Sequence, residues 1–145
     1  MRGLIVSFIA LCLLGQACTA VDQDLHIHFG DTSLYTRPRK LPDDLPQNFL
    51  YKKEPVLMAG NYGSGRYGFN RQGIMIQQSQ DSIDDILQYY QKLFAREDWQ
   101  IIQSVQNSTV HMLMAESPSR RLVTVVLRGE APVQIKIYNK PGNLF

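Results

Sequence analysis

The stretch Ser82–Ile102, SIDDILQYYQKLFAREDWQII, decides the fold because it is the most regular part of the chain. Apolar side chains recur in it at the i, i+3, i+4 and i+7 spacing of a helix with one buried stripe. The stripe consists of Ile83, Ile86, Leu87, Tyr90, Leu93 and Phe94. Ser82 can accept hydrogen bonds from free N–H groups at the helix start, and Asp84 and Asp85 suit the positive end of the dipole. The spacing therefore predicts one amphipathic helix that packs on a sheet.

Six short segments around this helix have the alternation and the residue types of β-strands. Two precede the helix and four follow it, and turn-forming residues connect the last four. The segments are residues 56–62, 71–78, 99–105, 109–116, 121–128 and 133–138. We therefore expect an α+β fold in which one main helix packs on an antiparallel sheet of about five to six strands, with an extended proline-rich N-terminal arm.

The helix and the tryptophan after it resemble a family of small bacterial envelope lipoprotein domains. In that family a helix with a Phe/Tyr-Tyr pair is followed by Gly-Trp and a strand. Here the pair is Tyr89 and Tyr90, the helix continues to Phe94, and Trp99 opens the strand. Asp98 replaces the usual glycine, and an aspartate can adopt the left-handed conformation that helix ends often need. The resemblance implies an α+β module of uncertain function, because the matched residues belong to the core.

Residues 1–20 are predicted to be a secretory signal peptide, with one positive charge, an apolar run from Leu4 to Leu14 and then small and polar residues. Ala17 and Cys18 resemble the lipobox of bacterial lipoproteins, where the cysteine receives diacylglycerol, although the large apolar residue stands one position early. The alternative is ordinary cleavage after Ala17 or Ala20. We therefore expect an exported protein. It is either lipid-anchored through Cys18 in the outer membrane, facing the periplasm or the surface, or soluble in the periplasm.

The charge balance argues against a nucleic-acid partner. The 145 residues include 15 Lys and Arg against 13 Asp and Glu, which gives a formal net charge of +2. A general nucleic-acid binder usually has a clear basic excess. Both cysteines, Cys12 and Cys18, lie in the predicted leader, so the mature domain has none to form a disulfide. The length suits one domain.

Residues 21–54 are predicted to form an extended arm or linker between the leader and an α+β domain at residues 55–140. Four prolines between Pro38 and Pro55 disfavour a helix or a central strand. Before them, residues 21–35 alternate apolar and polar side chains, which fits either a short strand or an extended arm. The segment serves either as a spacer or as a strap for a partner.

The glycine-rich loop between the first two predicted strands is the best candidate for a binding surface. Aromatic side chains alternate there with arginines, a combination that can stack on rings and donate charge-assisted hydrogen bonds. The candidate binding residues are Tyr62, Arg66, Tyr67, Phe69 and Arg71. Residues 63–68 also match G-x-G-x-x-G, but a strand and not a helix is predicted to follow, which excludes a dinucleotide site. Alternatively, the loop aromatics pack back on the sheet.

The sequence contains no recognisable catalytic or metal constellation. His26 and His28 share one strand face, but they supply only half of a metal site. We therefore predict a non-catalytic protein without cofactor or metal. The leading hypothesis is an envelope interaction or assembly module with a protein partner. The alternative is a periplasmic binding module for a small ligand or glycan, which would bind through residues 60–73.

Overall fold

A computed structural model of the chain describes residues 25–42, 45–63 and 71–140. The described residues form one antiparallel sheet of eight strands and one α-helix. The strands are β1 (Leu25–Phe29), β2 (Thr32–Thr36), β3 (Val56–Gly63), β4 (Arg71–Ser79), β5 (Gln100–Gln106), β6 (Val110–Glu116), β7 (Leu122–Arg128) and β8 (Val133–Lys140). The helix, α1 (Ile83–Arg96), connects β4 to β5, and a 3-10 turn (Gln47–Phe49) precedes β3. The spatial order β1-β2-β3-β4-β8-β7-β6-β5 places β4 and β8 side by side in the middle.

The predicted amphipathic helix is confirmed, together with its start and its end. The Ser82 hydroxyl accepts a hydrogen bond from the Asp85 N–H at 3.2 Å. At the other end, Asp98 has a φ of 62°, and the Trp99 N–H donates to the Phe94 carbonyl at 2.8 Å. This is the bond of a Schellman motif, in which a left-handed residue ends the helix. Asp98 thus takes the conformation usually left to glycine.

The predicted α+β fold with a sheet of five to six strands is wrong, because the described chain is mostly sheet and has eight strands. The two additional strands are β1 and β2, which form a hairpin with Gly30 in its turn at a φ of 55°. Every residue of β1 is exposed, so no buried face distinguishes it in the sequence from an extended arm. β2 pairs with β3 along its whole length, which joins the hairpin to the main sheet.

The second half of the segment interpreted as a linker lies in the hydrophobic core. Leu45, Phe49 and Tyr51 are all buried. The fully buried Gln77 of β4 binds the backbone of this segment: its Oε1 accepts from the Tyr51 N–H at 2.9 Å, and its Nε2 donates to the Glu54 carbonyl at 2.6 Å. A buried polar side chain of this kind pairs backbone groups that no strand or helix pairs.

Aromatic side chains join this segment to α1. The Tyr90 hydroxyl donates to the Phe49 carbonyl at 3.0 Å, and burial raises the pKa of Tyr90. The ring of Phe49 meets Trp99 edge-on at 4.9 Å, and that of Tyr51 meets Tyr89 in the same way at 4.9 Å. Edge-to-face pairs of this kind are favourable. Together, α1 and residues 45–54 form one layer on the sheet.

The two faces of the sheet have different surroundings. Successive strand residues point to opposite faces. The face that packs against α1 is dry, since Met75, Val125 and Ile137 are all fully buried. We call the opposite face the open face. Its side chains are largely apolar, but many of them are only half-buried and so remain partly exposed to water. A sheet with a sealed face and an apolar open face positions the candidate site.

Candidate functional site

One row of facing residues crosses six strands on the open face. Each member of the row lies directly opposite the next one in the strand register. The row consists of Leu34, Gly60, Ile74, Tyr138, Thr124 and Met114. Leu34 and Tyr138, which are 104 positions apart along the chain, therefore share one continuous surface across the middle of the sheet.

The row lines an apolar trough with a volume of about 480 Å³. This is within the range of small-molecule sites, about 300–1,000 Å³. Gly60 helps to keep the trough open. A Cβ at this position would lie 3.5 Å from both Leu34 Cδ1 and Ile74 Cγ2 and 3.2 Å from the Ser33 carbonyl oxygen. A larger side chain would therefore fill space that a ligand could occupy.

One end of the trough is polar. Thr32, Tyr62 and Gln72 face one another there across β2, β3 and β4. Lys140, the last residue of β8, lies at the same end and faces Leu122 of β7. The middle of the trough can therefore accept an apolar group, while this end can solvate a polar one.

The candidate residues from the sequence are only partly placed by the structure. Tyr62 lines the polar end of the trough and is 51% exposed. The backbone of Arg71 begins β4 opposite Gly63. The side chain of Arg71 lies outside the described residues. Arg66, Tyr67, Phe69 and Cys18 also lie outside them.

Most residues of the trough were missed by sequence reasoning, although β7 contains a signal. In its sequence LVTVVLR, Val123 and Val125 are buried under the core layer, while Leu122 and Val126 alternate with them on the open face. A strand with apolar side chains on both faces is typical of a sheet that is covered on both faces. The single predicted helix could cover only one, so a second apolar surface could have been expected.

A polar cluster lies next to the helix start. The Asp81 carboxylate accepts hydrogen bonds from the Lys52 ammonium and, at 2.5 Å, from the Tyr51 hydroxyl. Lys52, and then Tyr51, lower the pKa of Asp81. Asp81 in turn raises the pKa of Lys52, while burial, followed by Asp81, raises that of Tyr51. A carboxylate held ionised by two donors is a poor general base. The hydrogen bonds of the cluster instead attach residues 51–52 to the turn before α1.

The two histidines of β1 are already engaged. Their ring centroids lie 6.3 Å apart, with His28 Nδ1 at 2.7 Å from the Ser33 hydroxyl and the ring of His26 stacked on Tyr35 at 4.2 Å. Within residues 25–42, 45–63 and 71–140, no three His, Cys, Asp or Glu side chains are grouped to hold a metal ion. The described histidines therefore do not form a metal site, and the trough is the candidate site.

None of the helices in the described ranges combines the length and the apolar character that crossing a membrane requires. Comparison with curated proteins gives no match. A family model described as START domain-like matches residues 64–139, from the β3–β4 connection to the penultimate residue of β8. The function of that family is unknown, which agrees with the sequence-based resemblance to a domain of uncertain function. Because the match covers more than half of the 145 residues, the chain belongs to the START domain-like family.

Proposed function

We propose that this protein is an exported, non-catalytic binding protein that holds an apolar or amphiphilic small molecule in the trough of the open face. The observation that carries the proposal is the apolar trough of about 480 Å³ on a sheet whose other face is sealed by α1. The proposal keeps the small-ligand hypothesis from the sequence. It moves the site from the glycine-rich loop to the strands beside it.

The side chains of the trough provide the free energy for such binding. Leu34, Ile74 and Met114 are half-buried, so their apolar atoms still contact water in the free protein. Each 100 Å² of apolar surface that a ligand covers contributes about 2.5 kcal/mol, before the cost of immobilising the ligand. These strand positions are fixed by the sheet, so little further ordering opposes binding.

The chemistry of the lining favours binding over catalysis. Among the described residues that line the trough, Lys140 is the one charged side chain. Tyr62 and Tyr138 present hydroxyl groups, and the other polar side chains that the strand register places on the open face of the lining are Thr32, Gln72 and Thr124. Catalysis by acid–base or nucleophilic chemistry usually needs a positioned pair of titratable groups. The lining supplies orientation and apolar contact instead.

The proposal is tested by filling the trough. N-phenyl-1-naphthylamine, a neutral apolar fluorophore, is titrated into the wild-type protein and into Thr124→Phe, which adds a ring at the middle of the row. We expect wild-type binding and at least a tenfold loss of affinity in the variant. Thr109→Phe, at an exposed turn, is the matched control and should bind like the wild type. Absence of wild-type binding, or equal affinity of a folded Thr124→Phe protein, would overturn the proposal.

Export is the second part of the proposal, and the residue pattern of positions 1–20 supports it. Intact-mass measurement of the protein extracted from membranes distinguishes the two forms. Diacylglycerol on Cys18 identifies a lipoprotein. An unmodified chain that begins at Val21 identifies a soluble periplasmic protein and excludes lipidation.

An envelope assembly module remains the second candidate function, and the sheet edges favour it. β1 and β5 are the outermost strands, all their residues are exposed, and Phe29 of β1 is 84% exposed. An exposed edge can accept a strand from a partner. If assembly is the role, Ile101→Lys in β5 should release co-purifying protein, whereas Thr124→Phe should leave it bound. The opposite pattern would exclude β5 as the contact.

A further inference from the structure

Strand β8 places two lysines on the open face, Lys136 and Lys140. By alternation they share this face with Tyr138, and Lys136 lies between Ile76 of β4 and Val126 of β7 in the register. Neither lysine forms an ion pair within the described part of the chain, where the pairs are Lys52–Asp81, Arg96–Glu97 and Arg120–Glu116. Among the described residues, these two lysines of an apolar face thus have no acidic partner.

The acidic side chain that the described strands place on this face is already paired. Glu116 of β6 lies on the open face opposite Leu122, but its carboxylate is held by Arg120 at 3.2 Å. Arg128 of β7 adds a further positive charge on the same face, opposite Gln134. An apolar ligand in the trough would displace water from the neighbouring ammonium group, and a charge that loses water is costly unless it is paired. A ligand that carries an anion removes this cost.

The position of the two lysines distinguishes their roles. Lys140 lines the polar end of the trough, beside Thr32, Tyr62 and Gln72, which can add hydrogen bonds to a head group. Lys136 belongs to the same strand and the same face but does not line the trough. From this arrangement, and resting on the proposed function, we infer that the ligand is an anionic amphiphile whose carboxylate or phosphate head group binds Lys140 while its chain lies along the apolar row.

Competition with N-phenyl-1-naphthylamine tests this assignment. The competitors are dodecanoate, dodecyl phosphate, dodecanol and dodecyltrimethylammonium, each below its micelle concentration and at low ionic strength. They share one chain length, so their affinities differ through the head group. We expect the wild-type protein to bind the anions at least tenfold more tightly than dodecanol, and dodecyltrimethylammonium more weakly than dodecanol. The order of dodecanoate and dodecyl phosphate identifies which anion the site prefers.

Two variants assign the effect to one residue. Lys140→Gln should lower the ratio of the affinity for the preferred anion to the affinity for dodecanol about tenfold, and dodecanol binding by the variant shows that the trough is intact. Lys136→Gln, the matched control, should keep the preference for anions. Equal binding of anions and dodecanol by the wild type would overturn the inference while leaving the proposed function standing. Equal effects of the two variants would overturn the role of Lys140. Failure of every competitor, and of the fluorophore itself, would instead overturn the proposed function.

Discussion

Replacing Gln77 by leucine should destabilise the protein, because the hydrogen bonds that attach residues 51–54 to β4 are lost. The change keeps the approximate shape of the side chain but removes both its acceptor and its donor. In the native protein, Oε1 accepts from the Tyr51 N–H at 2.9 Å and Nε2 donates to the Glu54 carbonyl at 2.6 Å, with a longer contact of 3.4 Å to the Tyr51 carbonyl. Leucine would leave the Tyr51 N–H and the Glu54 carbonyl without these partners, whereas the Tyr51 carbonyl would still accept from the Glu54 N–H at 3.3 Å.

The magnitude follows from the number of groups left unpaired. A buried donor or acceptor without a partner costs about 1–3 kcal/mol. The two short bonds therefore predict a cost of about 2–6 kcal/mol, and the 3.4 Å contact adds little because hydrogen bonds weaken with distance. Burying a leucine offsets about 1–2 kcal/mol of this cost. Taking the middle of each range, about 4 against about 1.5 kcal/mol, we expect Gln77→Leu to lower the free energy of unfolding by about 2.5 kcal/mol, a large part of the stability of a typical domain.

Urea unfolding followed by circular dichroism measures this difference, with the slope of the transition as a check that both proteins unfold in the same way. Gln78→Leu is the matched control, because its side chain is exposed on the other face of the same strand. It should change the stability by less than about 0.5 kcal/mol. A loss below about 1 kcal/mol for Gln77→Leu would refute the reasoning, since the backbone of residues 51–54 would then be paired in another way.

Two further perturbations test the layer that covers the sealed face. Phe94→Ala removes a fully buried ring of α1 and should lower the free energy of unfolding in urea by about 3–5 kcal/mol. Gln91→Ala, on the exposed side of the helix, is the control and should lower it by less than about 0.5 kcal/mol. Equal effects of the two variants would show that the stripe is not buried. Because Lys52 and Tyr51 lower the pKa of Asp81 in the folded protein, the ionised carboxylate stabilises the fold above its unfolded pKa of about 3.9, and this contribution disappears as the pH falls through the folded value. Asp81→Asn should therefore lower the urea midpoint at pH 6 and reduce its fall between pH 5 and pH 2, while an unchanged acid profile would show that the cluster is not linked to folding.

The helix could be predicted from the sequence because its determinants are local. Ser82, the apolar stripe and the residue at position 98 all lie within about 20 positions, and each acts on the backbone next to it. The hairpin of β1 and β2 could not be assigned in the same way. The hairpin belongs to the sheet because β2 pairs with β3, and residues 25–36 alone determine neither this pairing nor its register.

The trough was missed because alternation shows which residues share a face but not which face is sealed. In β4, the isoleucines Ile74 and Ile76 point to the open face, whereas Met75 and the polar Gln77 point into the core. Hydrophobicity alone ranks these two faces in the wrong order. Gln77 is buried because it pairs the backbone of residues 51–54, a requirement that becomes visible only when that segment is seen to lie on the sheet.

The order of the strands divides the described chain into two halves that meet at one seam. β1 to β4 form a meander of neighbours, β5 to β8 form a second one, and β4 with β8 joins them through residues 73–79 and 133–139. The strand pairs within each half close short connections, except for β2 with β3. The seam between β4 and β8 instead encloses α1 and the three strands β5 to β7. Loop closure costs entropy that grows with the length enclosed, and long-range pairing slows folding. The seam therefore bears the largest topological cost of the sheet. Tyr138, at the middle of the trough, lies on it opposite Ile74, so the trough is complete only when the two halves have joined.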